Sequence, residues 1–130
     1  DVDMKFTYEE ACDLIVKALA PMGEEYVGLV KKGLESRWVD VYETPGKRSG
    51  AYSAGGKGMN PVMLLNFQGG LDDVYTLIHE MGHSLHTYFS SHNQEITYSD
   101  YSIFVAEVAS TCNEALLRSC APRIHPQPLP

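Results

Sequence analysis

The chain is 130 residues long, about one domain's worth, and its 44% hydrophobic and 21% charged residues exclude wholesale disorder. Ten Lys and Arg against seventeen Asp and Glu leave a net charge of −7. That is the opposite of the basic footprint that nucleic acid or a polybasic membrane contact requires. The longest apolar runs, such as Leu14-Ile15-Val16 and Val62-Met63-Leu64-Leu65, are too short to cross a bilayer.

Thr7 with Glu10 three residues on is a capping-box signature. It predicts a helix with Ala11, Leu14, Ile15, Ala18 and Leu19 at helical spacing, ended by Pro21. A second helix is predicted over 24–34, with Tyr26, Val27, Val30 and Leu34 on one face and Gly33 weakening its last turn. Alternation over 38–42 predicts a short strand, and Thr44-Pro45-Gly46-Lys47 a turn. Small residues over 50–53 and the apolar run 61–67 predict two further strands, separated by a flexible loop at 55–58. Asp72 is the expected N-cap of a long helix to about Phe89. A polar loop over 90–99 follows, then a last helix capped by Ser99 or Asp100 and reaching about Arg118. Trp38, Tyr75 and Phe104 are expected in the core. Helices, a small sheet, then helices predict an α+β, mostly helical fold in one domain over 1–118, with an unstructured Pro-rich tail over 119–130.

Cys12, Cys112 and Cys120 are odd in number and lack CxxC spacing, which points to a reducing, cytoplasmic setting. The start is charged, does not begin with Met and is followed by no signal-peptide apolar stretch, and the Pro-rich end differs from the rest. Both ends suggest a piece of a longer chain.

The chemistry concentrates in His79-Glu80-Met81-Gly82-His83, a His-Glu-x-x-His pattern on a predicted helix. Residues four apart lie one above the other, so two imidazoles can meet one Zn²⁺. Glu80, rotated about 100° from His79, is placed to take a proton from an activated water. At this chain's composition the pattern arises by chance about 0.014 times, so a helix with two ordinary histidines is the competing reading. A metzincin site would need Gly at 86 and His at 89, where the chain has His86 and Phe89. His86 lies about 10 Å along the axis from His79, too far to share its metal, and is expected as a supporting donor or a packed polar residue. A third ligand must come from a later carboxylate. Glu95 reads as solvated, Glu107 sits in an apolar stretch where burial would call for a partner, and Glu114 follows on the same stripe. Glu107 is favoured over Glu114, which is left as a supporting group. The Gly-rich run 50–58 fails the phosphate-loop pattern, because Ala51 and Gly58 stand where Gly and Ser/Thr are required.

The stretch from Thr76 to His86 resembles the active-site helix of the thimet-type oligopeptidases, nearest to the oligoendopeptidase F branch, whose pattern is His-Glu-(Phe/Met)-Gly-His-x-x-His. The stretch from Phe104 to Glu114 is similar to the helix carrying that family's third zinc ligand, which the match places at Glu107. Residues 46–53 and 61–67 also resemble the family, and the likeness runs from about Tyr8 to Arg118. It implies a zincin-like fold, with the active-site and third-ligand helices beside a small antiparallel-type sheet. It implies one Zn²⁺ per chain, held by His79, His83 and Glu107, with Glu80 as general base, and short peptides as substrates. Gly50, Ala51, Tyr52 and Ser53 become a candidate edge for an extended substrate. The family's members are several times longer, and their C-terminal oxyanion-stabilising segment has no counterpart here. Two expectations therefore stand side by side: a zinc endopeptidase core, or an isolated zinc-binding fragment without activity that self-associates through surface left exposed. A domain whose histidines never meet metal is the third.

Overall fold

In the computed structural model, which describes residues 4–124, helix α1 spans Tyr8–Ala18. Its Thr7 cap holds, with Oγ1 accepting the Glu10 amide at 3.1 Å. Ala11, Ile15 and Ala18 are buried at the predicted spacing. A 3-10 turn over Ala20–Met22 contains Pro21. Helix α2 follows over Glu24–Glu35. Gly33 is no flaw in its last turn: a Cβ there would lie 2.7 Å from the buried Trp38 ring, so only glycine admits the indole.

Strands β1 (Val39–Asp40), β2 (Tyr52–Ala54) and β3 (Val62–Leu64) form one sheet in the order β1-β3-β2. The sheet is mixed rather than purely antiparallel. β2 pairs antiparallel with β3, Ser53 opposite Met63, but β1 runs parallel to β3, Val39 opposite Met63. The β1 ladder extends past its two strand residues through Met63 N–H to Trp38 O, Leu65 N–H to Asp40 O and Phe67 N–H to Val41 O. The predicted strand at 50–53 begins two residues later. Gly50 takes φ +89°, and its carbonyl is held by the Asn66 side-chain amide at 2.8 Å, so it turns the chain instead of extending it.

Helix α3 spans Leu71–Asn93, longer at both ends than predicted. Gly70, not Asp72, is the N-cap, and the Asp73 carboxylate closes the end by accepting the Gly70 and Gln68 amides at 3.0 Å. Helix α4 spans Ile103–Ile124 and starts after Ser102, whose Oγ accepts the Val105 amide. It runs through the first six residues of the predicted tail, where Cys120 still packs against the core one turn after the buried Leu117. Residues 125–130 of that tail lie outside the described residues.

Helix α3 is the centre of the molecule. It touches β2 and β3 as well as α1, α2 and α4. Val74, Leu77, Ile78, Met81 and Leu85 are its buried stripe, meeting Ile15, Leu19, Val30, Trp38, Met63 and Leu117. The α4 stripe is different. Ala106, Ser110, Asn113 and Leu117 face inward at helical spacing, while Ile103, Phe104, Val105 and Val108 face out. Phe104, expected in the core, is 75% exposed.

Candidate metal centre

His79 and His83 stack one turn apart on α3, their rings edge to face with centroids 4.7 Å apart. Glu107 reaches them from α4, its Oε2 3.5 Å from His79 Nε2 and its Oε1 3.5 Å from His83 Nε2. The other ring nitrogen of His79, Nδ1, is hydrogen-bonded to Glu114 Oε1. A carboxylate only accepts, so this bond puts the proton on Nδ1 and leaves the Nε2 lone pair facing Glu107. Among the described residues the mutually close set is His79, Glu80 and His83, one donor atom each within 4.8 Å of one another, with Glu107 beside it, one oxygen toward each histidine. The spacing of Nε2 and carboxylate oxygen carries information. Ligands about 2.1 Å from a tetrahedral ion stand about 3.4 Å apart, so donors at this separation suit a shared ion better than bonds to each other.

The crossing of α3 and α4 makes this geometry. A Cβ on Gly82 would lie 2.6 Å from Ser110 Cα, so the two backbones touch between His79 and His83 on one side and Glu107 and Glu114 on the other. Glu107 and Glu114 are two turns apart, and the His79 ring sits between them with one nitrogen on each. The reason offered for Glu107 in the sequence was an apolar surround. Its side chain is in fact 47% exposed, because the apolar residues around it point away from the core.

Burial pushes the Glu80 carboxyl above the ordinary carboxylate range; nearby His79 opposes that shift and Glu107 adds to it. Glu80 Oε2 has no hydrogen-bond partner among the described residues, which leaves it free to take a proton. Burial, then His79, hold the His83 imidazole below its usual value, while Glu107 and a backbone hydrogen bond at Ala106 pull the other way. A neutral His83 keeps a lone pair for an ion.

A cleft of about 430 Å³ opens beside the cluster, lined by Ala51, Asp72, Tyr75, Thr76, His79, Glu80 and Glu114. Of the four candidate edge residues only Ala51 lines it. Gly50 turns the chain, Tyr52 is half exposed, and Ser53 turns inward to share a 2.8 Å hydrogen bond with the buried Ser84 beside His83. Strand β2 is nonetheless the free edge of the sheet on the α3 side. His86 lies away from the cluster, its ring 4.1 Å from that of Tyr101, whose hydroxyl is hydrogen-bonded to Thr87. Sequence reasoning missed Ser84, Tyr101 and Asn113. The signal for Asn113 was its place on a 106, 110, 113, 117 stripe, masked because that stripe is small and polar rather than apolar.

Fold and cluster together define a class, a mostly helical α+β segment with a candidate metal site on its central helix. The chain belongs to peptidase family M3, whose family model matches residues 1–123, beginning seven residues before and ending five residues after the stretch that resembles the family in sequence. The oligopeptidase PepF of Bacillus subtilis (strain 168) is 58% identical over 117 residues, 90% of this chain and 18% of that protein. An oligoendopeptidase F homolog of Lactococcus lactis subsp. lactis (strain IL1403) is 53% identical over 117 residues, 90% of this chain and 20% of its own length. A Chlamydophila abortus crystal structure assigned to the peptidases superposes with a TM-score of 0.88 at 48% identity, covering 92% of this chain and 20% of that one. PZ peptidase A with an inhibitor, at 23% identity and a TM-score of 0.66, shares the fold. The chain thus spans about a fifth of the length of the curated relatives it matches.

Proposed function

We propose that this chain carries the zinc centre of an endopeptidase acting on short peptides, with His79, His83 and Glu107 holding the ion and Glu80 as general base. The observation that carries the reading is the position of the Glu107 carboxylate, facing both Nε2 atoms at 3.5 Å. When bound, zinc supplies a water of lowered pKa and polarises the peptide carbonyl. Glu80 is buried, which raises its carboxyl above its ordinary value, and as the carboxylate it takes a proton from water and returns it to the leaving amine. Glu114 fixes the His79 tautomer. The β2 edge beside Ala51 offers main-chain groups to an extended peptide. We assign a cytoplasmic setting. Cys12, Cys112 and Cys120 are all free thiols, and no helix among the described residues is long and apolar enough to cross a membrane.

The test is a competitive zinc titration of this chain against a chromogenic chelator, followed by peptide cleavage. One tight equivalent, lost in Glu107→Ala, is the expected result; a wild-type chain that takes up no zinc at neutral pH overturns the assignment. Glu80→Gln keeps the equivalent and loses hydrolysis, and a variant that still cleaves removes Glu80 from its role. A second reading is an ion-binding segment without its own turnover. The exposed apolar face of α4 and the one-fifth coverage of relatives favour it. Zinc bound without cleavage is its signature.

A further inference from the structure

Asn113 is fully buried in a stripe otherwise made of Ala106, Ser110 and Leu117. A buried amide is costly unless its groups are bonded. Here both ends are: Nδ2 donates to Ile78 O at 3.3 Å, and Oδ1 accepts from the Tyr26 hydroxyl at 2.9 Å. The orientation is forced, because a carbonyl can only accept. One side chain therefore joins three helices, Tyr26 on α2, Ile78 on α3 and itself on α4.

The two ends fall at telling places. Ile78 is the residue before His79, and Asn113 the residue before Glu114. Gly82 against Ser110 sets how closely α3 and α4 approach, but a contact of small groups does not choose a rotation. A one-residue change of face turns a helix by about 100°, which would swing Glu107 and Glu114 off the His79 ring together. Asn113 is the polar tie that opposes this.

We propose that Asn113 is a positioning residue, setting the rotation of α4 on α3 that places Glu107 and Glu114 on opposite nitrogens of His79. The consequence for zinc rests on the function proposed above; the rotation itself does not.

Two readouts on this chain test it. The first is zinc affinity by chelator competition, well below each variant's melting temperature. The second, on the metal-free chain at pH 8, is the ¹⁵N ring shifts of His79, which separate the Nδ1-protonated tautomer that Glu114 selects from the Nε2-protonated one. Asn113→Leu keeps the branched side-chain skeleton, with bulkier methyls in place of the amide, and removes the tie. It is expected to melt cooperatively, to lose 10–100-fold in zinc affinity and to shift His79 toward the Nε2 tautomer. Tyr26→Phe leaves the amide on Ile78 and is expected to lose less than about tenfold and keep the tautomer. If Asn113→Leu lowers only the melting temperature, with wild-type affinity and tautomer, the residue is packing and the proposal falls. If Asn113→Leu does not fold, Asn113→Ser, which retains a donor too short to span to Ile78, is read by the same two measurements. A wild-type chain that binds no zinc overturns the metal reading alone, and the tautomer comparison still decides the rotation. A wild-type His79 without the Nδ1 proton overturns the rotation.

Discussion

His79 is held from both sides of its ring, Nδ1 by Glu114 and Nε2 toward Glu107. An imidazole held this way loses little freedom when it takes up an ion. Glu114→Gln keeps an acceptor but drops the charge. Zinc affinity is expected to fall about 10–100-fold with little change in metal-free stability, measured by chelator competition. Equal affinity would assign the ring's orientation to packing alone. His86 offers a pH test. Burial holds its imidazole below the usual value, and its Nε2 has no partner among the described residues. The folded chain therefore resists the proton that the unfolded chain accepts near pH 6.5. The stability tied to neutral His86 is present above about pH 6.5 and is lost as pH falls through the interval toward its lowered folded value. His86→Phe keeps a ring against Tyr101 and removes the titration. Its melting temperature is expected to fall less between pH 7 and pH 5 than that of the wild-type chain, both metal-free. Partly buried His83 has the same sign, so the slope shrinks without vanishing.

At the scale of elements, α3 and α4 carry the site and Gly82 lets them meet. Gly82→Ala gains about 1 kcal/mol of helix propensity. The new methyl meets the Ser110 backbone, which cannot rotate aside, and overpacking of this kind costs about 1–3 kcal/mol. A net loss of up to about 2 kcal/mol is expected, read as a lower urea midpoint at unchanged slope. A higher midpoint would mean that the helices part freely. The same pair shows what pattern reading reaches. The 3.6 period placed α1, α2 and α3, and the His-Glu-x-x-His spacing put both imidazoles on one face, because those signals are local. The Thr7 cap was local too. Gly70 was not legible as a cap, since its end is closed by Asp73 reaching back, and Asp72 is an equally good capping residue by type. The face of α4 was misread because its inward stripe is chosen by closeness to α3, which favours Ala and Ser over the larger Ile, Phe and Val. The parallel pairing of β1 depends on long-range register that no local run encodes. Glu107 was reached through motif likeness; the burial argument offered beside it does not hold, since its side chain is nearly half exposed.

At the scale of the whole molecule, one face is unfinished. Ile103, Phe104 and Val108 project outward from α4, with Ile96 and Tyr98 exposed just before it. The matched relatives are about five times longer, and an exposed apolar face of this kind is a surface that other protein tends to cover. The 130-residue chain alone has only itself to use. It is expected to self-associate as its concentration rises, with the net charge of −7 limiting the process at low salt and added salt strengthening it. Burying one large apolar side chain is worth about 1.5–3 kcal/mol, so Phe104→Ser with Val108→Ser should weaken a dimer by at least about 2 kcal/mol, roughly 30-fold in its dissociation constant. Sedimentation equilibrium over a hundredfold range of concentration reads this directly. Both substitutions lie on the outward face of α4, away from the Ala106, Ser110, Asn113 and Leu117 stripe, so zinc affinity should stay within a few-fold of wild type. A wild-type mass that stays monomeric across the range would show that the face tolerates water and that the exposed residues are too scattered to act as a patch. A mass that rises in the wild type and not in the double variant would make the outward face of α4 the surface through which the chain associates.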